Sequence, residues 1–567
     1  MYIERVPNRN SPPAILLREA WREDGKIRKR TVANLSDWPE PKIEAFRRLL
    51  RDEPLVSGAE AFSIESSLPH GHVEAILGTI RKLGMDTLIA SKRSRERDLV
   101  LAMIAERLLH PSSKLATTRL WPMTTLAEEL SVGDADVDEL YEAMDWLLAR
   151  QPQIEKKLAA RHLADGAMVL YDVSSSYYEG RTCPLARRGH DRDGQKGLPI
   201  VVYGVMTDHQ GRPLAIEVYA GNTGDPTTVA DQVDKLTKRF KLSRVVLVGD
   251  RGMLTETQIE KLRQRPGLGW ISALRSTAIR KLLADGVLQR SFFDQKNLAE
   301  ITSPDFPDER LMACFNPLLA EQRQRKRDEL IQATEKELRK IAQQVKRRTR
   351  KPLDKAEIAL KVGRVIHRFK MAKHFHWTIE DGVFTWNRSA ESISEETQLD
   401  GIYVIRTSET QDRFSAQDTV RHYKSLSQVE RGFRCLKGID LRVRPIHHRL
   451  EDRVRAHLFL CMLAYYLEWH MRSALAPILF ADEELHQDRK QRDPVAPAQP
   501  SSSAQKKKVV RLTDDGFPVH SFDTLLQALA TRSRHLCKIR SDKSGSSFSQ
   551  VTQLSPLQRR VFDLLRL

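Results

Sequence analysis

The sequence predicts an α+β chain of several domains, and three observations carry that prediction. Its 567 residues exceed what one hydrophobic core sustains and divide into about three to five domains. Two short apolar runs of strand length, MVLYD at 168–172 and VVLVGD at 245–250, are apolar on both faces and read as buried strands. Elsewhere the apolar spacing is helical. In YKSLSQVERGFRCLK at 423–437, Leu426, Val429, Phe433 and Leu436 make one buried stripe.

Taken in order, residues 1–55 read as a small β unit with a helix, because 14–21 and 27–35 flank Glu23-Asp24-Gly25-Lys26, whose Asp-Gly signals a hairpin turn. Residues 56–165 carry helical apolar faces at 73–83, 96–109, 124–130 and 137–148, with the basic stretch SKRSRER at 91–97. The basic stretch reads either as a solvated face or as a DNA-binding one, since helices suit the major groove. The first part of a core spans 166–279. It holds strand 168–172, a loop of hydroxyl residues at 174–178, and a hairpin of 200–207 with 213–220 across Asp208-His209-Gln210-Gly211. Asp225 is expected to cap a helix opening at Pro226, and strands 244–248 and 270–274 follow. Asp250 and Glu430 lie 180 positions apart, too far for a loop, so 280–400 is expected to be an inserted subdomain. Its elements are helices at 320–350 and 353–369 and a hairpin at 375–386 around Asp381-Gly382. Residues 401–480 return to the core with a strand at 401–406, the Glu430 helix and a buried helix over 458–467. A Pro/Ala/Ser-rich linker at 481–510 precedes a helical tail at 511–567, with helices at 522–530 and 556–565.

At about 100° per residue, Tyr423, Leu426, Glu430, Phe433 and Lys437 share one arc of the helix. Glu430 and Lys437 therefore stand at the border of the apolar stripe. Asp172 and Asp250 each end an apolar strand, where ligands of α/β sheets gather, and each also suits a turn, Asp250-Arg251-Gly252 above all. Three such carboxylates make an oxygen donor set for hard divalent cations. The charge, 93 Lys and Arg against 75 Asp and Glu, gives +18 and favours a polyanionic partner, nucleic acid ahead of anionic membrane. Cys183, Cys314, Cys435, Cys461 and Cys537 have neither metal nor disulfide spacing and fit a reducing cytoplasm. No signal peptide opens the sequence, and the longest apolar stretch, 458–467, is too short to span a bilayer. A cytoplasmic protein without membrane contact is expected.

With these residues in place, the chain resembles the DDE transposases of bacterial insertion sequences, in the branch with a Tyr-x2-Arg-x3-Glu-x6-Lys signature. Tyr423, Glu430 and Lys437 keep the spacing, while Leu426 stands in the arginine's place. GHDRDGQKGLPIVVYGVMTDHQGRPLAIEVYAGNTGD at 189–225 resembles the family's G-x-S-x-D, G-x-P-L and G-N-x-x-D run, with Asp191 in place of Ser or Thr. The resemblance covers roughly 169–469. It implies an RNase H-like mixed-sheet catalytic core interrupted by the large inserted subdomain. It also implies Asp172, Asp250 and Glu430 as catalytic and metal-binding residues, with Mg²⁺ as cofactor and Mn²⁺ able to substitute. The implied activity is metal-dependent cleavage and strand transfer at the element's ends, on double-stranded DNA and as a homodimer, with a hairpin step common in the branch. DNA contacts fall to Tyr423 and Lys437, to Arg434 as stand-in for the missing arginine, and to Arg444 and His448 in an Arg-Pro-x-x-His stretch. Trp377 and Trp386 are candidates to stack a flipped base, though ordinary core tryptophans are the commoner reading. Two other functions suit the same residues: a nuclease of this fold that cuts without joining, and a catalytically inactive DNA-binding protein. Covalent joining to target DNA separates the first, and metal-dependent cutting separates the second.

Overall fold

The protein is described here as a computed structural model covering residues 1–9, 11–53, 62–539 and 546–567. Two compact units result, Met1–Pro69 with Arg532–Gln553, and His70–Thr531 with Leu554–Leu567. The expected domain boundary at 55–56 lies outside the described residues.

In the first unit β1 (Tyr2–Val6), β2 (Ala14–Glu23) and β3 (Lys26–Asn34) form an antiparallel sheet. Asp24 and Gly25 both take positive φ at the β2–β3 turn, the conformation an Asp-Gly pair tolerates. Helix α1 (Glu40–Leu49) closes a small core of Ile15, Leu17, Leu35 and Ile43. Strand β4 (Phe62–Pro69) pairs with Ser533–Ile539, which also pairs with Ser547–Val551. The C-terminal stretch expected to be helical thus holds two strands as well, between its helices Phe522–Ala530 and Pro556–Leu565.

The second unit begins with α2 (Gly71–Lys82), α3 (Arg95–Leu109) and α4 (Val137–His162). Ser94 caps α3 through Arg97, and Asp136 with Glu139 forms a capping box on α4. Five strands follow: β5 (Ala167–Tyr177), β6 (Ile200–Asp208), β7 (Pro213–Ala220), β8 (Val245–Val248) and β9 (Leu268–Ala273). Across the sheet they run β7-β6-β5-β8-β9, with β5, β8 and β9 parallel and β6 antiparallel to both neighbours.

Between β9 and its next neighbour the chain makes a long excursion. It adds β10 (Leu298–Ile301) and β11 (Arg310–Phe315) to the sheet, two strands the sequence reading did not find. Helices α5 (Pro317–Arg347) and α6 (Lys355–Phe369) and the hairpin of β12 (Phe375–Glu380) with β13 (Val383–Arg388) share a core of their own, built on Ile331, Leu338, Ile358, Phe375 and Phe384. Strand β14 (Ile402–Thr407) then pairs with both β9 and β11. Helices α7 (Ala416–Lys424), α8 (Leu426–Lys437) and α9 (Glu451–Ala474) follow. Helix α9 is buried around most of its girth and packs against α3, α4 and β7. The segment expected as a linker contains helices Leu485–Gln491 and Ser502–Val510. No helix among the described residues is long and apolar enough to cross a membrane.

Candidate active site

Strand β8 stops at Val248, in parallel register with Leu170 of β5. Two residues further on, Asp172 and Asp250 reach the same level, Asp172 still in the strand and Asp250 in the turn that follows β8. Asp172 is therefore not the end of its strand, as expected, but lies inside it. Strand β5 continues through Ser174–Ser176, expected as a loop, because β6 pairs with every residue to Tyr177 and the Ser176 and Tyr203 hydroxyls satisfy each other at 2.9 Å. What ends beside Asp172 is its neighbour, which leaves that edge of β5 open. Asp250 also does the turn's work, its Oδ1 accepting from the backbone N–H groups of Gly252 and Met253 at 3.0 and 2.7 Å.

Glu430 comes from α8, which sits close to the sheet for steric reasons. Phe433 packs edge-on against Tyr203 of β6, ring centroids 5.9 Å apart. Gly211, at φ +85° in the β6–β7 turn, lies where an added Cβ would come within 2.7 Å of Gln428. Gly432 presses on the Tyr465 ring, where a Cβ would stand 3.1 Å away.

The electrostatics tie these elements together. Burial pushes the Asp172 carboxyl up to about 7, and the negative charges of Asp250 and Glu430 push it the same way; the Val173 N–H and Arg192 oppose them. The Tyr423 hydroxyl, at the end of α7, is raised to about 12 by burial and by Asp250, Glu430 and Asp172. Neither Asp250 nor Glu430 forms an ion pair among the described residues. The three carboxylates do not close into one tight cage, since their oxygens are not all within 4.8 Å of one another.

Lys437, two turns beyond Glu430, pairs with Asp193 at 2.9 Å, and Arg444 reaches the same Asp193 oxygen at 2.6 Å. Asp193 was missed in the sequence, although it is the closing aspartate of the Gly189–Asp193 motif. Its neighbour Arg192 holds Asp225 through two bonds of 2.5 and 2.6 Å. Asp225 makes no cap hydrogen bond, so the helix-capping role expected for it is replaced by this ion pair. Arg434 is exposed on α8 one turn after Glu430, without an ion pair among the described residues.

The other candidates lie elsewhere. His448 packs edge-on to Tyr141 and tilted to His457, at 6.0 and 4.9 Å, and burial beside Lys114 and Arg107 pushes it down to about 3. Trp377 and Trp386 face each other across the β12–β13 ladder. Trp386 packs on Phe375 within the excursion's own core, whereas Trp377 is 37% exposed. Among the described residues a second cluster, Cys435, Asp440 and Glu468, has metal-ligand spacing. Arg472 already occupies it, donating to Glu468 at 2.5 Å and Asp440 at 2.8 Å, while the Cys435 thiol donates to Glu468 at 2.8 Å. A fixed guanidinium in that place makes it an ion-pair network around the buried Glu468.

Comparison with known proteins bears on this geometry. The family model described as transposase DDE domain matches residues 180–467, which contain Asp250 and Glu430 and begin just after Asp172. The model described as IS1634 family transposase, N-terminal domain, matches residues 3–57. No curated protein matches. Among solved structures, a cryo-EM structure of piggyBac transposase in a synaptic complex with hairpin DNA is 10% identical. It covers 81% of this chain and 78% of that one at a TM-score of 0.34, too slight a likeness to build on.

Proposed function

The chain belongs to the DDE transposases of insertion sequences, and from that premise we propose that Asp172, Asp250 and Glu430 are its catalytic, metal-holding carboxylates, acting on the ends of its own element. The observation that carries this is the placement of Asp172 and Asp250, each two residues beyond the paired Leu170 and Val248, with α8, the Glu430 helix, packed on β5. Three hard oxygen donors from three elements, carrying excess negative charge, fit divalent cations of the Mg²⁺ or Mn²⁺ kind. The order β7-β6-β5-β8-β9, third-second-first-fourth-fifth in the chain, supports an RNase H-like core. The excursion between β9 and β14 is then its inserted subdomain.

In this reading Asp172, Asp250 and Glu430 would together hold the divalent ions. Bound there, such ions would supply Lewis-acid activation of a water or 3′-hydroxyl and stabilisation of the leaving oxygen. Tyr423, which keeps its proton, donates to a phosphate oxygen beside the acids. Lys437, Arg444 and the free Arg434 hold the DNA backbone along α8, with Arg434 answering for the arginine that Leu426 replaces in the Tyr-Arg-Glu-Lys signature. Exposed Trp377 suits the stacking of an extruded base, and the helices of 71–162 the terminal repeats. Two protomers on paired ends, in the bacterial cytoplasm, complete the proposal.

The test is cleavage of a labelled terminal-repeat duplex with Mg²⁺ or Mn²⁺ on a denaturing gel, with binding followed in parallel. Asp172→Asn, Asp250→Asn and Glu430→Gln should each bind normally and cut about 10³-fold more slowly, the several kcal/mol such a centre contributes. Cutting that survives Glu430→Gln would remove the assignment.

A further inference from the structure

We propose that Asp193 is the positioning residue of this site: a buried carboxylate that clamps Lys437 and Arg444 to the end of β5 and so fixes them as a seat for a DNA phosphate. This rests on the acidic reading above and extends it. The Asp193 side chain is 1% exposed. Its Oδ1 takes both cations, Lys437 Nζ at 2.9 Å and Arg444 Nη1 at 2.6 Å, and its Oδ2 accepts from the Tyr177 N–H at 3.1 Å. One side chain thereby joins the last residue of the strand that carries Asp172, the last residue of the helix that carries Glu430, and the loop after that helix. Arg444 adds a bond from its Nε to the Lys437 carbonyl at 3.2 Å, so the two cations are also braced against each other.

The local sequence is built for the task. Asp191 accepts the Asp193 backbone N–H at 2.7 Å and fixes the turn. Arg192 turns the other way, to Asp225, and its charge reaches Asp172. Two cations share one carboxylate, so the trio keeps one formal positive charge. A phosphodiester oxygen is the natural complement, since Lys and Arg at fixed positions are the common phosphate contacts. Burial disfavours the charged form of Lys437, as do the neighbouring charges of Arg444 and Arg192, and Asp193 works against them. Asp193 thus keeps its partner charged as well as placed.

The experiment is single-turnover cleavage of the same labelled duplex from neutral to alkaline pH, with thermal unfolding as the control for folding. Asp193→Asn should fold, cut more slowly, and lose rate at a pH about one to three units lower than wild type on the alkaline side, because Lys437 has lost its anion. Asp193→Glu, which keeps the charge, should restore most of the alkaline limb. A folded Asp193→Asn with the wild-type rate and pH profile overturns the proposal. If Asp193→Asn does not fold, Lys437→Arg replaces it. A guanidinium does not titrate in this range, so the alkaline limb should disappear, and an unchanged limb overturns the proposal equally. Glu430→Gln run alongside separates the two readings: with it inactive and Asp193→Asn unaffected, only the clamp fails.

Discussion

Lys114 offers a quantitative test of the helical part of the second unit. Its side chain is 5% exposed and lies among Arg107 of α3, His448 of the loop before α9, and His457 and Cys461 of α9 itself. None of these is a carboxylate. Burial, and then the Arg107 charge, push the Lys114 amine down to about 7 from an ordinary value of 10.5, with only Cys461 opposing. The folded protein therefore sheds this proton near pH 7, while the unfolded chain keeps it to about 10.5. Over that window the unfolded state binds more protons, so stability rises with pH; below it the cost of the buried charge is fully present. A shift of this size corresponds to at most about 5 kcal/mol. Lys114→Met keeps the stem and removes the amine, so it should stabilise the protein most at mildly acidic pH, with the advantage shrinking towards zero as pH approaches 10.5. Urea midpoints of both proteins across that range measure the difference directly. A difference that does not change with pH, or a variant less stable at acidic pH, would refute the reasoning.

Two further outcomes follow from buried groups. Leu426 is 9% exposed in the main core at the first turn of α8, so Leu426→Arg, which installs the arginine of the signature the chain resembles, should lower the melting temperature by removing about 1.5–3 kcal/mol of burial. It should bring no faster cleavage; an unchanged melting temperature with faster cutting would show that the arginine belongs there. Arg472→Met leaves Glu468, Asp440 and Cys435 without their cation and should cost about 3–5 kcal/mol in denaturant unfolding, whereas a loss below about 1 kcal/mol would mean the network is not structural.

Much of this was legible because local chemistry and tertiary role coincide. Asp24-Gly25 and Asp381-Gly382 make turns wherever they occur, and the apolar runs at 200–207, 213–220 and 245–248 are strands in any context that buries them. The stripe gave α8 from Leu426 on and put Glu430 at its edge, whereas Tyr423, expected on the same helix, lies on α7 beyond the break at Ser425. The misses share a different physics. Ser174–Ser176 looks like a loop until β6 supplies its ladder and Tyr203 a partner for Ser176. The 533–539 strand needs β4, hundreds of residues earlier, before its short alternation means anything. Strand β11 gains its ladder when β14 returns beside it, and β10 pairs in turn with β11. Asp193 is one acid among many in the sequence; its meaning lies in meeting Lys437 and Arg444 at once. Asp225 beside Pro226 has sound capping chemistry, and Arg192 competes for the same carboxylate and wins.

The long excursion between β9 and β14 has a consequence in time. A ribosome releases β5 and β8 early, with both aspartates, and then spends the whole of the excursion before α8 emerges. Every nascent or prematurely ended chain up to that point carries two acids and lacks Glu430, the Asp193 partners Lys437 and Arg444, and helix α9 that backs the sheet. On the proposed assignment, fragments that end before α8 lack the third acid of the cutting centre.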